Sequence, residues 1–324
     1  MGACDHFPAM DEATIARYIR DIGRGSKAAR DLSRDDARSL FTAMLGGLVG
    51  ELQLGAILIA LRVKGESLDE LAGFAAACEA SYNHFSGLDE DSIPVVIPSY
   101  NGARQLPNLV PLLALLLARE GIPVFIHGVR RDPERVATRE ILDAMGIEPS
   151  MSANEACARL TTRRFAFMPI EVMAPEIASL LALRSVLGVR NSTHTLAKML
   201  QPFAGPAVRI VSVTHPDYLA RMREYFTTCD TAALLLRGAE GEAVAHPRRE
   251  PSIEWAYDGR SETWKEDAPG ERSPPQLPAD RDATITARWI EAVLAGEAPV
   301  PAPIRHQIEC CKRAVRALGG NVQC

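Results

Sequence analysis

The segment Ser99 to Arg104, reading Ser-Tyr-Asn-Gly-Ala-Arg, lies between a β-branched apolar run and a helical apolar run. Backbone N–H groups at such a turn have no intrahelical partner, and the positive end of the following helix favours an anion. Asn101 and Gly102 suit the turn itself, and Arg104 adds a planar cationic fork that matches phosphate. The alternative is a plain strand-to-helix turn. His127 and Gly128 stand at the end of the next apolar run. There His127 either meets a phosphate or sugar, or satisfies the core. Arg190, His194 and Lys198 are spaced four apart, so a continuous helix would carry them on one face. That face is either a track for a phosphate backbone or an ordinary basic surface.

Net charge over the 324 residues is −5, which by itself does not announce a nucleic-acid binder, but the charge is uneven. Arg17 to Arg38 holds seven basic residues against four acidic, including Arg24, Lys27 and Arg30. Arg184 to Arg223 holds six against one, while Glu240 to Asp282 reverses to six against eleven. A negative total can therefore conceal a positive face. The seven cysteines, Cys310 and Cys311 adjacent among them, include no CxxC pair, so reduced thiols are expected rather than a disulfide framework or a zinc site. No apolar run reaches the roughly 20 residues of a membrane helix, and no basic region precedes an apolar stretch at the N-terminus. The cytoplasm is the expected location, with no membrane partner.

Several elements must position these residues. Helical spacing covers Ala13 to Ile22, then Ala37 to Leu45 behind the cap Ser33-x-x-Asp36, and Leu52 to Val63. Ser67-x-x-Glu70 is a capping box before a fourth helix. From Ile93 the texture changes. Short apolar runs at 94–98, 124–127, 165–169, 208–213 and 232–237 read as strands, separated by helical stretches at 109–119, 135–145, 175–187 and 216–226. Such alternation predicts a mostly parallel sheet covered on both faces. The stretch 240–282 reads as loop-rich with a few strands, and 284–295 and 304–318 as closing helices. The fold class is α/β: a small all-helical domain over 1–91, part of it packing with later helices, then a large α/β domain over 92–324.

The string Leu32-Ser33-Arg34-Asp35-Asp36-Ala37-Arg38, followed by Leu58-Ile59-Ala60-Leu61-Arg62-Val63-Lys64-Gly65-Glu66-Ser67, resembles the N-terminal helical domain of anthranilate phosphoribosyltransferases, in glycosyl transferase family 3. The later strings Ile97 to Arg104, Ile126 to Val129 and Gly188 to Lys198 bring it nearest to the divergent YbiB-type branch of that family. The resemblance covers nearly the whole chain. It implies a two-domain fold of the nucleoside phosphorylase and phosphoribosyltransferase class. Members of the branch are understood as dimeric nucleic-acid binders.

The same resemblance implies altered chemistry. Where the enzymes wrap pyrophosphate with a Gly-Thr-Gly-Gly-Asp loop, this chain keeps Gly102, with Asn101 before it and Arg104 after it. Where they carry Lys-His-Gly-Asn-Arg, it has Ile126, His127, Gly128, Val129 and Arg130. The magnesium-binding Asp-Glu pair falls on Ala243 and Val244; the nearby carboxylates Glu240 and Glu242 either substitute as metal ligands with shifted geometry or, the favoured alternative, lie in a solvated turn. Arg184 matches an arginine that contacts the anthranilate carboxylate, and His194 to Pro202 matches a stretch whose polar groups have changed. Two functions are then in play. One is a homodimer that holds DNA or other nucleic acid without sequence preference, through Arg24, Lys27, Arg30, Arg184, Arg190, His194 and Lys198. The other is a phosphoribosyl transferase with an aromatic or nitrogen acceptor. A scaffold for a protein partner is a third, blander reading. No cofactor is expected, magnesium being required only if transfer occurs. A small phosphate-containing ligand at Asn101, Gly102, Arg104, His127, Gly128 and Arg130 fits both principal readings.

Overall fold

Helix α1 (Glu12–Ile22) opens the computed structural model, which describes residues 10–25, 28–89, 91–265 and 276–320. Asp11 caps it, accepting the Thr14 amide at 2.6 Å. In α2 (Arg34–Leu45) Ser33 is the cap, its Oγ accepting the Asp36 amide at 3.2 Å. After α3 (Glu51–Lys64), helix α4 (Leu68–Glu79) begins with the capping box that Ser67 and Glu70 predict. The apolar stripes of α2 and α4 face one another, with the Phe41 and Phe74 rings 4.9 Å apart and fully buried.

The string around Lys64 is a structural clasp. Lys64 Nζ donates to Asp31 and to Glu70, each at 2.6 Å, and the other Glu70 oxygen accepts the Leu32 amide at 3.0 Å. Burial opposes the charge on Lys64, but the hydrogen bonds to Asp31 and Glu70 hold its pKa above the usual lysine value.

The chain then alternates: β1 (Val95–Ser99), α5 (Val110–Arg119), β2 (Val124–Gly128), α6 (Thr138–Ala144), α7 (Ala153–Arg163), β3 (Phe165–Pro169) and the short α8 (Ile170–Met173). Helices α9 (Pro175–Ala182), α10 (Arg184–Leu187) and α11 (Thr193–Leu196) intervene before β4 (Val208–Ser212), α12 (Pro216–Thr228) and β5 (Ala233–Leu236). A hairpin of β6 (Ile253–Tyr257) and β7 (Arg260–Trp264) and helices α13 (Ala283–Ala295) and α14 (Ala302–Ala317) complete the described residues. The sheet has the order β3-β2-β1-β4-β5-β6-β7. It is parallel from β3 through β5 and antiparallel at β6 and β7. Strands β1, β2 and β3 are buried along their whole length, which explains their continuous apolar runs.

The described residues form two compact units: the stretch up to Asn83 with Ala174–Leu200, and His84–Met173 with Gln201 onward. The helical unit is thus assembled from two separated pieces of chain.

Three expectations change. The helix expected over 175–187 is interrupted at Leu183. Arg190 lies outside any helix, and His194 and Lys198 lie on α11 and on the 3-10 turn after it, so the three do not form one helical face. The cause lies after Arg190: α11 begins only at Thr193, whose amide donates to Asn191 Oδ1 at 3.0 Å, and it passes into the 3-10 turn at Ala197 after four residues. Helix α7 was not expected: only Ala156, Cys157 and Leu160 of it are buried, too few for a strong apolar pattern. No helix among the described residues is long and apolar enough to cross a membrane.

Candidate functional site

In the α/β unit the strand order reverses beside β1, and in sheets of this kind ligands bind beyond the carboxyl ends of strands at such a switch point. The loop after β1 and the turn after β5 meet there, and the contact is carboxylate to amide. The Asn101 amide donates to Glu242 Oε1 at 2.7 Å, and the Gly102 amide donates to the same oxygen. Further along, the Arg104 amide donates to Glu240 Oε2 at 2.7 Å, with the Gln105 amide at 3.1 Å from both oxygens and Leu106 at 3.4 Å. The expected anion site therefore contains anions, and they belong to the chain itself.

The turn is built to deliver them. Glu240 adopts φ +52°, a left-handed conformation that costs a non-glycine residue about 1–2 kcal/mol. Asn101 Nδ2 donates to the Glu240 carbonyl at 3.2 Å. Gly241, at φ +86°, leaves room for that amide: a Cβ there would sit 1.9 Å from Asn101 Nδ2. Glu242 is buried and Glu240 half-buried, so the solvated turn expected here is corrected. A carboxylate taken from water needs several donors, and the loop amides supply them.

A magnesium ion, implied by the resemblance, does not fit these residues. Ala243 and Val244 have no ligating side chains, and N–H groups point at both oxygens of Glu240 and at Glu242 Oε1, where a cation would have to sit. Among the described residues no group of three or more His, Cys, Asp or Glu is placed to hold a metal.

The other expected site residues divide. His127 is fully buried in β2, with Nδ1 hydrogen-bonded to the Tyr100 hydroxyl at 2.6 Å. Gly128 is required by strand packing, since a Cβ would fall 2.0 Å from the Ser99 carbonyl oxygen. The Arg104 side chain is exposed. Arg130 is also exposed, 4.0 Å from Glu171.

Beside Glu240 a cavity of about 420 Å³ is lined by Gln105, Arg237, His246 and Arg249 among others. Burial, then the neighbouring Arg249, lowers the His246 pKa. Sequence reasoning missed this cavity, where Arg237 and Arg249 meet Glu240 and Glu250, because the surrounding stretch is acidic in total. The Arg248-Arg249 doublet was the available signal.

In the helical unit a second group of cations gathers. His194 has its pKa lowered to about 4, first by burial and then by the charges of Arg190, Arg184 and Lys198. All four side chains are half-buried. Although they share no helix face, the turns between α10 and the end of α11 bring them into one another's field. Arg24 and Arg30 are exposed, Arg24 lying 3.9 Å from Asp21. Lys27 lies outside the described residues.

The helical bundle domain of the glycosyl transferase family matches residues 16–81. An uncharacterized protein of Escherichia coli strain K12, YbiB, is 45% identical over 301 residues, 91% of this chain and 92% of that protein. An anthranilate phosphoribosyltransferase of Leifsonia xyli is 29% identical over 84% of this chain and 78% of its own length. Among solved structures, the anthranilate phosphoribosyltransferase of Saccharomyces cerevisiae in complex with PRPP and Mg superposes with a TM-score of 0.72. It covers 95% of this chain and 89% of that one at 15% identity, which is a likeness of fold.

Proposed function

This chain belongs to the anthranilate phosphoribosyltransferase-like proteins of glycosyl transferase family 3, and we propose that it acts as a homodimeric, sequence-nonspecific nucleic-acid-binding member of that family rather than as a transferase. The observation that carries the reading is the concentration of Arg184, Arg190 and Lys198 about His194, strong enough to help keep that imidazole neutral. Half-buried cations in one another's field are stabilised by an external polyanion, and each phosphate they neutralise releases a counterion. The exposed Arg17, Arg20, Arg24 and Arg30 belong to the same unit. The engagement of the loop amides by Glu240 and Glu242 argues against a metal-bound sugar diphosphate in the α/β unit.

The dimer reading is supported by α3, which exposes Leu52 at 90% and Val63 at 65% beside an apolar groove of about 650 Å³. A second copy placed there would cover an apolar face and repeat every cationic cluster by symmetry.

The test is anisotropy of a labelled DNA duplex across a salt series. The expected result is an affinity that falls steeply with salt. Removing the cations in Arg184→Ala, Arg190→Ala and Lys198→Ala together should flatten the log–log slope by about 0.9 for each phosphate no longer neutralised. A salt-insensitive interaction, or an unchanged slope in the triple variant, refutes the reading. The second reading, phosphoribosyl transfer, is favoured by the fold shared with an enzyme solved in complex with PRPP and Mg. Saturable calorimetric heat with that ligand and magnesium, followed by turnover with an acceptor, would establish it.

A further inference from the structure

We infer that Glu240 and Glu242 are specificity-determining residues that close the amide loop at 101–106 to phosphate-bearing ligands, by occupying it as built-in anions. Three independent features support this role. Two carboxylates from a single turn satisfy the amides of Asn101, Gly102, Arg104, Gln105 and Leu106, so the loop is an anion cradle already filled. The turn carries a left-handed glutamate at its apex, a conformation that persists only where surrounding contacts over-determine it. Finally, Asn101 clamps the turn from the loop side through the Glu240 carbonyl, an arrangement that admits only a hydrogen at Gly241.

A phosphate or diphosphate competing for these amides must displace a carboxylate that is covalently part of the chain. Such a group acts at a high effective concentration, so a free anion competes poorly. It must also approach a second carboxylate of like charge. Without the two side chains the same amides would face a cavity whose remaining charged lining is Arg237 and Arg249 against the single Glu250, and free N–H groups beside two arginines would turn the preference toward phosphate. Both glutamates lie in the α/β unit, and the exclusion they impose does not depend on nucleic-acid binding.

The experiment adds inorganic diphosphate, without metal or nucleic acid, to the full chain and to Glu240→Ala, Glu242→Ala and the double variant. Backbone amide NMR shifts of residues 101–106 and calorimetry are the readouts. The wild type should show no saturable change at those amides. Glu240→Ala should bind diphosphate at least about tenfold more tightly than wild type, and the double variant more tightly still, with melting temperature rising on addition. Should loss of the buried Glu242 prevent folding, the half-buried Glu240→Ala decides alone. Gly241→Ala, which keeps both glutamates but dislodges the turn, gives a second decision and should also gain binding. Saturable diphosphate binding at these amides in the wild type, or folded variants with no gain, overturns the inference.

Discussion

Replacing His194 by glutamine tests the cationic cluster through stability rather than through binding. The imidazole pKa drops from 6.5 to about 4, chiefly by burial and then by Arg190, Arg184 and Lys198. At about 1.4 kcal/mol for each tenfold change in proton affinity, that drop is worth about 3 kcal/mol at most. The sign follows from linkage. Between pH 6.5 and pH 4 the unfolded chain takes up a proton that the folded chain refuses, so stability falls as pH falls through that window and levels off below it. Above pH 6.5 the group contributes no pH dependence. His194→Gln removes the proton site, so the variant should lose less stability than wild type on acidification. The difference should grow to at most about 3 kcal/mol by about pH 4. Urea unfolding at a series of pH values reads this difference, and NMR titration of the His194 ring reads the pKa directly. Arg190→Gln should raise that pKa part of the way, because burial, the larger cause, remains. A His194 ring that titrates near its ordinary value of 6.5, or parallel stability curves for wild type and His194→Gln, would refute the crowding argument.

Two other outcomes are expected. Glu70→Ala leaves Lys64 with the Asp31 carboxylate and the Gly65 carbonyl but without its buried counter-charge, and the Leu32 amide without its acceptor. Breaking a buried pair in this way should cost about 3–5 kcal/mol, seen as a large loss in thermal unfolding of the helical unit, while a near-neutral result would contradict the clasp. A charge at the exposed apolar face, Leu52→Asp with Val63→Asp, should convert a dimer to monomer in sedimentation equilibrium without unfolding the chain, and an unchanged mass would place the interface elsewhere.

Much of the scaffold was legible locally. Ser33 and the Ser67–Glu70 capping box marked helix starts because a cap depends only on residues three apart. The runs at β1 and β2 announced buried parallel strands because strands covered on both faces need apolar side chains at every position. Helix α7 escaped because its buried face is narrow. The common face for Arg190, His194 and Lys198 failed because α11 starts only at Thr193, after Arg190, and changes to a 3-10 turn at Ala197, before Lys198.

By itself, then, the sequence determined the alternation of strands and helices, the resemblance that placed the chain in its family, and the presence of a loop whose free amides call for an anion. Only the tertiary structure decided which anion. Glu240 and Glu242 lie more than 130 positions from the amides they satisfy, and no local pattern encodes such a meeting. It arises because parallel pairing sets β1 and β5 on either side of β4, bringing the loop after one against the turn after the other.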